Sequence, residues 1–329
     1  MYINPIIKEI EISDIRKIHE RLVNYKNVIN MTIGEPDIDV PQEVKEATAY
    51  HALNSRIKYS SVGGMPELRE KIAKYYNKYF LGNYNAQNVL VTVGSTEGLA
   101  SVLKTILAKD DEVIIPTPAY VGYEPLITLL SAKTKFLDLK ENNFVLTCEI
   151  LKKNITDKTK LIILTYPNNP SGITLEEEEM KKIVKFLKDK NIYLLSDEIY
   201  AAISFEKFTS FAKYFDELRE QLIVINGFSK SHSMTGYRLG YVIADEKLQN
   251  QVKKVSQYNV TSASTLSQYG AIAALDKCSD TTKISEIYKK RVEYFVNELE
   301  KLGFKCLKPK GAFYVFATYK NIEKFKNVK

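Results

Sequence analysis

The chain is 329 residues long, 45% hydrophobic and 26% charged, ordinary values for a soluble globular protein that can bury a large core in one large domain and a smaller one. Its 47 lysines and arginines against 40 acids give a net charge of +7, but the lysines are spread over helical faces with no basic block interleaved with aromatics, which argues against a nucleic-acid partner. The three cysteines, Cys148, Cys278 and Cys306, are far apart and lack any C-x-x-C pairing, so neither a disulfide framework nor a zinc site is indicated.

The chain opens on Met1-Tyr2-Ile3-Asn4-Pro5 and passes into the charged stretch Lys8 to Arg16. That start holds no long apolar core and no cleavage signal, and no later run approaches membrane-spanning length, so a cytoplasmic protein with no membrane partner is expected. From about Val89 to Ala244, short Val- and Ile-rich runs alternate with helix-length amphipathic segments, the pattern of an α/β domain with a largely parallel sheet. Strands are expected at Val89–Val93, Glu112–Ile115, Lys135–Asp138, Leu161–Thr165, Ile192–Leu195, Leu222–Ile225 and Gly240–Ala244. Several of these run straight into polar or glycine-containing clusters, which in an open α/β sheet converge at the carboxyl ends of the strands.

The acidic run Glu176 to Glu179 reads as the first turn of a helix capped by Thr174 and ending in the basic stretch Lys185 to Lys190, an order that suits the helix dipole. After Ser279 the character changes to a charged amphipathic helix through Leu302, followed by a strand expected at Gly311 to Phe316. The expected organisation is an N-terminal arm over 1–45, a large domain over 46–278 and a smaller α+β domain over 279–329 that packs against the arm.

The chemistry concentrates in Asn226 to Tyr241. Lys230 follows an apolar run, and Arg238, one of seven arginines, stands eight residues later before a strand that reads as buried. A lysine amine at a strand end can form a Schiff base with a carbonyl, and a nearby guanidinium can fork onto a phosphate, so the pair suits a phosphorylated aldehyde. Gly94-Ser95-Thr96-Glu97-Gly98 joins a strand to a helix beginning near Thr96, where free backbone amides favour an anion, although no P-loop lysine follows. Asp197 would emerge at the end of a buried strand, a position equally suited to a cap or turn, and Asn168-Asn169-Pro170-Ser171-Gly172 has the chemistry of an ordinary turn.

The string from Ser229-Lys230 through Met234-Thr235-Gly236-Tyr237-Arg238-Leu239-Gly240 strongly resembles the active-site signature of class I/II aminotransferases, pyridoxal-phosphate enzymes of fold type I. The resemblance covers about Glu9 to Phe316 and is nearest to the PatA-type aromatic and N-acetyl-LL-diaminopimelate aminotransferases, through Glu9 to Lys17, Ser229 to Gly236 and Gln257-Tyr258-Asn259-Val260. It implies a seven-stranded, mostly parallel sheet with helices on both faces, and pyridoxal 5'-phosphate held by Lys230. It also implies that Asp197 pairs with the pyridine nitrogen, that Tyr200 and Asn169 donate to the phenolic oxygen, and that Tyr120 stacks on the ring. Ser95, Thr96, Ser229 and Arg238 would hold the phosphate, and Gly34 would approach the substrate carboxylate, with Asn169 also on the substrate side. Tyr59, in Lys58 to Arg69, would reach the phosphate of a neighbouring subunit, so the expected assembly is a homodimer with shared active sites. His232 is read as structural.

The activity implied is a ping-pong transfer of an amino group between an L-amino acid and a 2-oxo acid, with glutamate and 2-oxoglutarate as the common pair and an aromatic amino acid or an acyl-diaminopimelate as the other. Family members continue for several dozen residues beyond the Gly311 to Phe316 motif, and that stretch carries the arginine that clamps the substrate α-carboxylate. Either the sequence is that of a shortened chain or the protein lacks this main carboxylate clamp; in the latter case, retained cofactor binding with weak or absent amino-acid turnover is expected. A carbon-sulfur β-lyase of the same fold shares the cofactor residues and is one alternative. A non-catalytic cofactor-sensing module is the other, although such regulators carry a DNA-binding domain ahead of this region and fewer than 40 residues precede Gly34.

Overall fold

A computed structural model of the chain describes residues 3–22, 24–320 and 322–325. The N-terminal arm carries α1 (Asp14–Leu22) and leads through an extended stretch into α2 (Gln42–Asn54) and α3 (Pro66–Phe80). Then β1 (Val89–Thr92), α4 (Gly94–Ile106), β2 (Glu112–Thr117), α5 (Tyr123–Thr128), β3 (Lys133–Asp138), α6 (Cys148–Asn154), β4 (Thr159–Thr165), α7 (Glu177–Leu187) and β5 (Tyr193–Asp197) follow in strict alternation. The large domain closes with β6 (Leu222–Gly227), α8 (Phe228–Ser231), β7 (Gly240–Ile243), α9 (Glu246–Val260) and α10 (Thr265–Lys277). Last come α11 (Thr282–Lys301) and a short antiparallel pair, β8 (Lys305–Cys306) and β9 (Ala317–Thr318).

All seven expected strands join one sheet in the order β1-β7-β6-β5-β4-β2-β3. The pairs from β3 through β6 are parallel, and β7 runs antiparallel to both of its neighbours, β6 and β1. Because side chains alternate across a strand, each run feeds two cores. Ile114, Ile162, Leu164, Leu194, Leu222, Val224, Tyr241 and Ile243 face one side. Val113, Ile115, Leu161, Ile163, Leu195, Ile223, Ile225 and Val242 face the other. Continuous apolar runs without polar alternation are what a sheet covered on both faces requires.

Three expectations are corrected. Thr174 does not cap α7: the helix starts at Glu177 with Glu176 at the cap position and no side-chain cap bond, and the acidic first turn itself complements the dipole. The helix after β1 starts at Gly94, two residues before Thr96. Gly311 to Phe316 is not a strand; Gly311 makes a single bridge to Ser204, and Ala312 adopts a left-handed conformation with φ 57°, which breaks an extended run.

The arm and the C-terminal segment meet over the ends of the sheet. Asp37 accepts hydrogen bonds from Tyr288 at 3.1 Å and Arg291 at 2.6 Å on α11. Gly34 is covered by the ring of Tyr314, whose hydroxyl lies 2.2 Å from where a Cβ at position 34 would stand, so only glycine admits this contact.

Candidate active site

The site collects at the carboxyl ends of β1, β2, β5 and β6, where the chain leaves the ladder and side chains are released from sheet packing. Strand β6 ends at Gly227 and turns at once into α8, which holds Lys230 near the sheet. The Lys230 amine donates to the Gly34 carbonyl at 2.6 Å and lies 5.9 Å from the Tyr200 ring centre and 5.6 Å from that of Phe313. No carboxylate ion-pairs with it among the described residues. Burial pulls its pKa down to about 8; Glu35 opposes this and the Arg238 charge adds to it. A desolvated lysine of this kind is neutral over part of the physiological range and so nucleophilic.

Arg238 does not enter the core with a partner, as its position before β7 suggested. It is exposed, in a left-handed conformation, donates to the Thr235 carbonyl at 3.0 Å, and meets no carboxylate among the described residues. Its guanidinium rests on the start of α4: a Cβ on Gly94, whose φ is 69°, would come within 2.7 Å of an Arg238 nitrogen. The free amides of Gly94, Ser95 and Thr96 and an uncompensated guanidinium thus share one corner, which suits a dianionic phosphate. Ser229 is buried beside Lys230.

At the other end, Asp197 closes β5. Burial raises its pKa, while the Tyr123 hydroxyl and the Ile199 amide favour its ionised form, donating at 2.6 and 3.2 Å. Tyr123 also meets Thr165 at 2.6 Å and packs edge-on against Tyr120, ring centres 5.3 Å apart. Tyr120 has Thr96 beside its hydroxyl, and burial raises its pKa, with Asp197 adding to the rise. Tyr200 shares a 2.5 Å hydrogen bond with Tyr314. The Asn169 side chain is half-buried, whereas its neighbour Asn168 is spent on the turn, accepting from Ser171.

The structure therefore gathers Gly34, Ser95, Thr96, Tyr120, Asp197, Tyr200, Ser229, Lys230 and Arg238, with Asn169 on the adjoining loop. Tyr59 stands apart and is 88% exposed. Its loop is nonetheless held: buried Gln268 donates to Ser60 at 2.9 Å and accepts from the Met65 amide at 2.7 Å. His232 is bonded to Ser231 and to the Cys278 carbonyl, and burial lowers its pKa to about 4.

The model of the family described as aminotransferase class I and II matches residues 26–327. The chain belongs to that family. A probable N-acetyl-LL-diaminopimelate aminotransferase of Bacillus subtilis is 42% identical over 97% of this chain and 81% of its own length. An aspartate aminotransferase of Pyrococcus horikoshii is 36% identical over 92% of this chain and 79% of its own. The crystal structure of a Thermotoga maritima aspartate aminotransferase superposes with a TM-score of 0.90 at 33% identity, covering 97% of this chain and 86% of that one. The fold is that of the aminotransferases, and the activity class is amino-group transfer.

Three residues packed against the candidate site were not named from the sequence: Tyr123, which donates to Asp197; Tyr314, which meets Tyr200; and Glu198, buried next to Asp197. Glu198 lies between Asp197 and Tyr200, both already named, and Tyr314 lies inside the segment Gly311 to Phe316. The signal for Tyr123 was only its place three residues after Tyr120 in a turn leaving a strand.

Proposed function

We propose that this aminotransferase works with pyridoxal 5'-phosphate on Lys230, exchanging amino groups between a dicarboxylic donor such as glutamate and a second amino or oxo acid. The observation that carries the reading is the pairing of a part-buried amine with no ion-paired carboxylate among the described residues, lowered to about 8, with a guanidinium on a helix start that likewise meets no carboxylate among them. Together they match a carbonyl and a phosphate on one small molecule. When bound, the cofactor supplies an electron-accepting ring to a substrate that loses its Cα proton.

The chain's own residues supply the rest. Arg238 and the amides at the start of α4 bind the phosphate, assisted by Ser95, Thr96 and Ser229. Asp197, whose ionised form the Tyr123 hydroxyl favours against burial, would pair with the protonated pyridine nitrogen. Tyr200 and Asn169 provide donors for the phenolic oxygen, and Tyr120 covers the ring. Lys230 would be the base that takes the proton from substrate Cα. Gly34 presents its backbone to the substrate carboxylate. Support for an acyl-diaminopimelate as one substrate comes from the Bacillus subtilis relative. Support for a homodimer completed by Tyr59 comes from an exposed tyrosine on an anchored loop.

The test is the visible absorption of the purified protein with pyridoxal phosphate, before and after glutamate is added without any oxo acid. Loss of the yellow band with gain of near-ultraviolet absorption is expected. A protein that never turns yellow would sink the cofactor assignment, and a yellow protein indifferent to every amino donor would sink the transfer reading.

A further inference from the structure

The β5–β6 ladder runs from Leu194↔Leu222 to Asp197↔Ile225 and stops. One more backbone bond, from the Glu198 amide to the Ile225 carbonyl at 2.8 Å, leads to a side-chain network that takes over from the sheet. Glu198 is fully buried. Its carboxyl accepts from Ser196 at 2.9 Å, from Ser210 at 2.7 and 2.8 Å, from the Phe211 amide at 3.2 Å and from Tyr76 at 3.4 Å. The Tyr76 hydroxyl in turn accepts from Asn226 at 2.7 Å. Asn226 itself accepts from the Gly227 amide at 2.7 Å, immediately before the turn that carries Lys230.

No cation neutralises this carboxyl among the described residues. The titratable groups that face it are the hydroxyls of Tyr76 on α3, Tyr84 after α3, and Tyr241 on β7, with Asp197 next in the chain. A lone buried acid is costly, and an apolar side chain would fill the space at less expense. What the carboxyl adds is connection past the last rung of the ladder: through Tyr76 and Asn226 it joins the end of β5, beside Asp197, to the end of β6, before the turn that carries Lys230.

We propose that Glu198 is a positioning residue, setting through Tyr76 and Asn226 the separation between Asp197 and Lys230, the two groups that grip opposite ends of the cofactor. The inference rests on the cofactor reading above. A side chain that serves two strand ends at once transmits a change at either to the other, so its loss misaligns the site without removing any group that touches the cofactor.

The experiment uses the full chain with Tyr76→Phe, Glu198→Gln and the double variant. Three quantities are read: the dissociation constant for pyridoxal phosphate, the pH midpoint of the visible band, and the thermal midpoint of the cofactor-free protein. Each single variant is expected to weaken cofactor binding by about tenfold and to shift the pH midpoint by about half a unit. The double variant should be no weaker than the worse single one, because both changes cut the same network. Tyr76→Phe decides the matter alone should Glu198→Gln fail to fold, since it removes one hydroxyl and keeps the ring. If the wild-type protein binds normally while cofactor affinity and pH midpoint stay unchanged in Tyr76→Phe, the proposal is overturned, whatever the thermal midpoint does. A wild-type protein that develops no band overturns the cofactor reading itself, and this proposal with it.

Discussion

Lys230 illustrates how an ordinary side chain becomes reactive by placement. Its folded pKa of about 8 lies below its ordinary value of 10.5. The unfolded chain therefore binds the extra proton between those limits, and stability contributed by the neutral amine is lost as pH falls from 10.5 through 8. For capture of an aldehyde the same titration sets the rate, because only the unprotonated amine attacks. The rate at which the cofactor-free protein turns yellow should rise with pH through a midpoint near 8, and stopped-flow absorbance across pH 6 to 10 checks it. Lys230→Ala should abolish both colour and turnover. Arg238→Ala should leave the lysine chemistry intact and weaken cofactor binding by roughly ten- to a hundredfold, the worth of a charge-assisted hydrogen bond lost to a phosphate; equilibrium dialysis measures it.

Among the elements, β5 and the residues just past it carry the most unusual energetics. Burial lifts Glu198 to about 7 from an ordinary 4.5. A raised acid contributes stability that is fully present below 4.5 and lost as pH rises through 7, on the order of 3 kcal/mol across that window. Glu198→Gln should flatten the dependence of the thermal midpoint on pH between 4.5 and 7, which calorimetry at several pH values reports. The strands themselves were legible, because an apolar run of four to seven residues bounded by polar turns has few other uses in an alternating chain. Thr174 misled because the cap of a helix depends on where the backbone turns, and two residues of extended chain intervene before α7. Gly311 to Phe316 misled because its apolar residues are drawn into separate contacts: Phe313 toward Tyr200 and Tyr288, Tyr314 onto Gly34, and Phe316 against Phe144. The candidate site was legible wherever one short stretch of sequence held its residues together, as with Lys230 and Arg238. Partners chosen across the sheet, such as Tyr123 for Asp197 or Tyr76 for Glu198, leave no local pattern to read.

For the whole molecule, the exposed Tyr59 on its anchored loop predicts a test by complementation. If each site takes Lys230 from one subunit and Tyr59 from the other, then Lys230→Ala and Tyr59→Ala homodimers are both impaired. Co-refolding them in equal amounts should restore roughly a quarter of the native sites, all in mixed dimers; no recovery above the sum of the separate activities would place Tyr59 outside the shared site. The sheet order also bears on synthesis of the chain. Strand β1 touches the rest of the sheet only through β7, although 147 residues lie between Thr92 and Gly240. A nascent chain that has not yet released Gly240–Ile243 from the ribosome thus has no neighbour for β1 and no corner in which Arg238 can meet Gly94. On the cofactor reading proposed above, capture would wait until residue 243 has left the exit tunnel, and Lys230 would not meet an aldehyde on a scaffold that still lacks β7.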